Sequence, residues 1–145
     1  MAKHGPLKDG LITINGTDLS DHCAEFTLNT STAELENSAM GDYTDFKTPG
    51  LLSWSVEAKF YQDFAGGSVH SVLEALRAKL ATLGVPPVAP IVLRASKTNS
   101  VSATNPQWTG DIFVAKYKAL GGKHGENLMV EVTFAAASNL AVANA

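Results

Sequence analysis

A single cysteine, Cys23, leaves the chain without an internal disulfide, so its stability has to come from packing or from assembly. Alone, it reads as a small buried hydrophobe before it reads as a nucleophile. Basic residues are scarce too: 11 Lys and Arg against 14 Asp and Glu give a net charge of −3 over 145 residues, and the lysines are scattered singly. That excludes the basic footprint with which proteins grip nucleic-acid phosphates. No run of about 18 apolar residues occurs, and the opening MAKHGPLKDG lacks the apolar core of a secretory signal. Neither a membrane helix nor export is therefore expected, and the chain is expected to be made in the cytoplasm.

What is present has the composition of one globular domain, 45% hydrophobic and 17% charged. The low charge leaves much of the surface to neutral Ser, Thr, Asn, Ala and Gly, which suits extensive contact between subunits. A single domain over 1–145 is expected, with flexible arms at 1–9 and 139–145.

Strand patterns dominate. LITIN (Leu11 to Asn15) is β-branched and runs into the tight reversal Asn15-Gly16-Thr17-Asp18. In HCAEFTLN, Ala24, Phe26 and Leu28 alternate with Cys23, Glu25 and Thr27, the two-residue period of a half-buried strand; the continuation TAELEN fits strand or helix. From about 37 to 50 no apolar period survives, and Gly41, Pro49 and Gly50 punctuate the segment, so a long inter-strand loop is expected. Next, Leu52, Trp54, Val56, Ala58 and Phe60 alternate with polar neighbours over a strand of about 10 residues, nearly twice the usual length.

One helix is expected, about 68–83, on the recurrence of Val69, Val72, Leu73, Leu76, Leu80 and Leu83, with Ser68 or Ser71 as its cap and Gly84 as its stop. PIVLRAS reads as a buried strand. WTGDIFVAKYKAL and NLMVEVTF read as a hairpin about the turn GGKHGE. In the former, Ile112 and Val114 take one face while Phe113, Ala115 and Tyr117 take the other, so both faces are partly apolar. The sum is a mainly β domain of the α+β kind, with about six antiparallel strands and one flanking helix.

Chemistry finds little support. His4, His22, His70 and His124 have no second ligand at metal spacing, and Asp21, His22 and Cys23 are strand neighbours that point to opposite faces. Gly66-Gly67-Ser68 is a strand-to-helix turn rather than a nucleophile elbow, and Gly121-Gly122-Lys123-His124-Gly125 lacks the spacing of a phosphate loop. No catalytic, metal or cofactor site is expected, and a hydrolase using Ser68 or Cys23 is set aside.

The ordered set ING-T-DLS-DH, AELEN-S-AMGD, TPGLLSWSVEAKFYQDF, the helix, and ATNPQWTGDIFVAKYKALGGKHGENLMVEVTF resembles the major tail tube proteins of long, non-contractile-tailed bacteriophages over Asp9 to about Ser138. The resemblance implies a β-sandwich-like or barrel-like tail-tube fold and a structural virion protein without enzymatic activity or cofactor. It implies partners too: copies of itself in hexameric rings that stack into a hollow tube, other tail proteins at the tube ends, and double-stranded DNA passing without specific binding. No membrane is involved. It places the protein in the phage tail of the virion, made in the host cytoplasm. The long loop becomes the inter-subunit element, with Met40, Tyr43, Phe46 and Pro49 as its contacts, and Glu57, Asp63, Asp111 and Glu131 become candidates to face the lumen. Six subunits giving roughly four strands each, tilted about 40°, enclose a bore on the order of 40 Å, against about 20 Å for a duplex. The rival readings are a tube subunit of a contractile tail or secretion system and a virion decoration or ligand-binding β-sandwich.

Overall fold

A computed structural model of the chain describes residues 9–81, 83–84 and 88–143. Among the described residues the strands are β1 (Leu11–Ile14), β2 (Thr17–Asp18), β3 (Cys23–Glu36), β4 (Lys47–Tyr61), β5 (Ala89–Arg94), β6 (Gln107–Lys118), β7 (Met129–Ala136) and β8 (Ala141–Ala143), with one α-helix, α1 (Val69–Lys79), between β4 and β5 and a short 3-10 turn at Ser20–His22. They form one antiparallel sheet in the order β2-β1-β5-β6-β7-β4-β3, and β8 pairs with the start of β6. This is the β-rich, single-helix class read from the sequence.

The local chemistry explains the elements. Ile14 and Thr17 pair across Asn15 and Gly16, whose φ angles of 51° and 81° are those of a tight hairpin turn, which Asn and Gly tolerate best. Alternation builds the core: Val56, Ala58 and Phe60 of β4 and Val130, Val132 and Phe134 of β7 are buried beside Ile112 and Val114 of β6. Ile12 and Ile14, Ile91 and Leu93, and Val69, Leu73 and Leu76 of α1 complete one cluster. The helix therefore covers one face of the sheet, and that face carries the core.

Three expectations are corrected. Strand β4 begins at Lys47, so the loop shrinks to residues 37–46, and TAELEN is strand up to Glu36. The helix stops at Lys79, leaving Leu80 and Leu83 exposed. Ser68 takes the N-cap position as expected, but its hydroxyl donates to Asp63 at 2.8 Å instead of accepting from a helix N–H, and Glu74 pairs with Arg77 instead of closing a box with Ser71. Finally, β6 carries a bulge at Ala115, between the pairs Val114–Phe134 and Lys116–Thr133. An extra residue reverses the alternation, so Tyr117 turns to the core side, and its hydroxyl meets Gln62 and His70.

At the chain ends, residues 1–8 of the N-terminal segment lie outside the described residues. At the other end, the pairs Gln107–Ala143, Trp108–Val142 and Thr109–Ala141 place 141–143 on the sheet.

Candidate assembly surface

The β3–β4 hairpin is longer than the sheet that carries it. Strand β7 pairs with β4 only from Ser55 to Tyr61. Beyond Ser55, Lys47–Trp54 pairs with β3 alone, so this outer half is a two-stranded arm with both edges unpaired. Two-stranded ribbons are marginal in isolation, and rows of free N–H and C=O groups invite another chain.

Beyond Trp54 at its root, the arm's large apolar side chains lie in the open. Leu51 and Leu52 are 87% and 81% exposed, and at the tip Met40 and Tyr43 are 104% and 105% exposed. Phe46, Leu35 and Pro49 are exposed as well. A bulge places Gly50 and Leu51 opposite Ala33; a Cβ on Gly50 would fall 3.0 Å from that of Ala33.

Although the sequence suggests a loose loop, the tip is braced. Asn37 N–H donates to Phe46 O at 2.8 Å, Phe46 N–H to Ser38 Oγ at 2.5 Å and Ala39 N–H to Asp42 Oδ2 at 2.7 Å. Lower on the arm, Lys47 pairs with Glu34 at 3.0 Å. At the root, Trp54 donates from Nε1 to Ser138 O at 2.8 Å. Its ring lies so close on Gly110 that a Cβ there would sit 2.6 Å from Cζ2.

The sheet face opposite the core is polar, and pairing aligns it in rows. One row crosses four strands as Glu25–Lys59–Glu131–Lys118, the next as Thr27–Glu57–Thr133–Lys116. Lys59 Nζ stands 3.9 Å from Glu131 Oε1. Glu57 and Glu131 lie in these rows, and alternation from Ile112 places Asp111 on the same face, further along β6.

Asp63 is elsewhere. It sits in the β4–α1 connection, where it accepts from Ala65 N–H at 2.9 Å and Ser68 Oγ at 2.8 Å and meets His22 Nε2 at 3.1 Å. Those donors, Ala65 first and Ser68 next, hold its carboxyl below the usual carboxylate value. Cys23 is half-buried, and burial pushes its thiol up to about 11, the wrong direction for a nucleophile. Among the described residues no cluster of three or more His, Cys, Asp or Glu is arranged to hold a metal, and no helix is long and apolar enough to cross a membrane.

Sequence reasoning named the tip residues but missed the arm's shaft and root. The Ser- and Thr-rich outer half of β3, with no large apolar residue from Asn29 to Ala33, was the available signal that β3 leaves the core there.

No family model matches the sequence, and no curated protein matches it. Solved structures do. A chain of the sheath/tube terminator of the extracellular contractile injection system PVC superposes with a TM-score of 0.74 at 11% identity, covering 98% of both chains. The SPP1 tail tube gives 0.65 at 10% identity over 94% of this chain and 76% of that one. The tail of the empty gene transfer agent (GTA) particle, described with C6 symmetry, gives 0.58 at 12% identity over 84% and 82%. At such identities the agreement is one of fold, and the fold is the tail-tube fold that the sequence resembles.

Proposed function

We propose that this chain is a structural tube subunit: six copies close into a ring, rings stack into the hollow tail tube of a phage or phage-like particle, and genomic DNA leaves through it. The observation that carries the reading is the arm, which has two unpaired edges and apolar residues exposed along its shaft and at its tip. A monomer gains nothing from such a ribbon, whereas a neighbour that pairs its edges and covers Leu51, Leu52, Met40 and Tyr43 completes it. The fold and the six-fold symmetry of the GTA tail support the same reading. Met40, Tyr43, Phe46 and Pro49 are then contacts between subunits. The protein acts without catalysis or cofactor; its partners are itself, the proteins at the tube ends and passing duplex DNA, and its place is the virion after synthesis in the host cytoplasm. A tube inside a contractile system is a second reading, favoured by the TM-score of 0.74 to the injection-system chain.

Negative-stain imaging of purified protein at rising concentration tests this: rings and stacked tubes are expected. Replacing residues 37–46 with a two-residue Asn-Gly turn should leave thermal unfolding nearly unchanged and abolish tubes. Persistent wild-type monomers at high concentration, or normal tubes from the shortened chain, refute the role given to the arm.

A further inference from the structure

The polar face has an unusual charge pattern, and the tube reading gives it a position. In a ring built from this sheet, one face looks into the bore and the other outward. The core face carries α1, and a helix layer adds about 10 Å on each side. Turned inward, such layers would narrow a bore on the order of 40 Å to about the width of a duplex, even before side chains are counted. Only the polar face of β3, β4, β7 and β6 leaves the passage open.

We propose that this face is the bore wall and that its two charged rows are balanced rather than acidic, so these rows neither hold nor repel a passing polyelectrolyte; the inference rests on the tube reading. Those rows contain three acids, Glu25, Glu57 and Glu131, and three lysines, Lys59, Lys116 and Lys118, all exposed. Along the first row the sign reverses at every strand, with Lys59 between Glu25 and Glu131 and Glu131 between Lys59 and Lys118. Asp111 is an additional acid, beyond Phe113 on the same face.

Magnitudes decide what a passing chain feels. Charges that alternate every 4.8 Å or so repeat about every 10 Å, and the field of such a pattern fades over a length of about 1.5 Å, less than one water layer. A wall of one sign would be felt across the Debye length, about 8 Å at physiological salt. A duplex about 20 Å wide, centred in a bore on the order of 40 Å, stands about 10 Å from the wall. At that distance the alternating rows are silent, whereas an unbalanced wall would still act as the duplex drifts sideways. The same argument applies to a cationic chain, so these two rows do not select cargo by sign.

The test unbalances the wall in both directions and follows assembly separately. Tubes of wild type, of Glu25→Gln/Glu57→Gln/Glu131→Gln and of Lys59→Gln/Lys116→Gln/Lys118→Gln are counted by negative stain. They are then pelleted with a short labelled duplex or with labelled oligolysine across a salt series. Wild-type tubes should retain neither probe above a tube-free control. The glutamate triple should retain at least about tenfold more duplex at low salt, with log retention falling by about 0.9 per log unit of salt for each phosphate neutralised. The lysine triple should do the same with oligolysine. If wild-type tubes form but already hold duplex through these lysines, or the glutamate triple forms tubes and holds no more duplex than wild type, the balanced wall is overturned while the tube reading stands. If wild-type protein forms no tubes, the tube reading fails, and this inference with it. Should a triple fail to assemble, Glu131→Gln and Lys59→Gln carry the same comparison: equal retention by both overturns the proposal.

Discussion

At the residue scale, the contact between Trp54 and Gly110 joins the arm to the body. The indole spans from the last arm position to β6 and fixes the bend after β7 through Ser138 O. Gly110 is small because the ring lies on it, not because its backbone needs an unusual angle. Gly110→Ala would place a methyl 2.6 Å from Trp54 Cζ2, too close to keep both positions. Overpacking of this kind costs about 1–3 kcal/mol, so a lowered unfolding midpoint in urea is expected, together with a shift of the Trp54 indole resonance. An unchanged indole environment would mean that the ring does not sit on this glycine. Asn105 holds its own loop with similar economy: it is buried, donates from Nδ2 to the carbonyls of Ser96, Asn99 and Ser100, and accepts from Ser96 N–H. Nothing in the turn-former composition of KTNSVSATNPQ singled it out.

At the element scale, the legible parts were those where alternation meets a core. The lower half of β4, the whole of β7 and the Asn-Gly turn follow from pattern alone, because each inward side chain has a partner to bury against. Leu52 continues the same alternation yet stands in solvent, since a period of two shows which face a residue takes but not whether anything lies beneath that face. The bulge at Ala115 was equally invisible: one inserted residue reverses every later assignment on the strand, and Tyr117 crosses to the core side because of it. Of the candidate lumen acids, Glu57, Asp111 and Glu131 share a face because their strands are neighbours, while Asp63 lies past the end of its strand and serves the helix connection. That connection gives a pH prediction. The folded-state carboxyl of Asp63 titrates below its ordinary 3.8, so its bonds contribute above that value and are lost as pH falls through the folded pKa. Asp9, held down chiefly by the Thr98 hydroxyl, acts in the same direction. Protection of the Ala65 amide, measured against its intrinsic exchange rate, should therefore fall as pH drops below 3.8; protection that persists to about pH 2 would show that Asp63 does not brace the turn.

At the scale of the whole molecule, the body and the arm meet different conditions. The body is complete, with one cluster of aliphatic and aromatic side chains sealed by α1. The arm is incomplete, and it leaves from the end of β4 remote from α1, so the two ends of the protomer along that strand differ. One end offers Met40, Tyr43 and Phe46 on a braced tip; the other carries the exposed Tyr61, Phe64 and Leu120 around the β6–β7 turn. In the proposed tube, a column of such subunits would join unlike ends, head to tail, and head-to-tail contacts without closure add copies indefinitely. A tube built in the proposed way would therefore have a direction, and its two termini would need different stoppers. Nothing in the protomer counts how many layers have been laid, so tubes grown from pure protein should show a broad spread of lengths in micrographs, and a uniform length would require a separate molecular ruler.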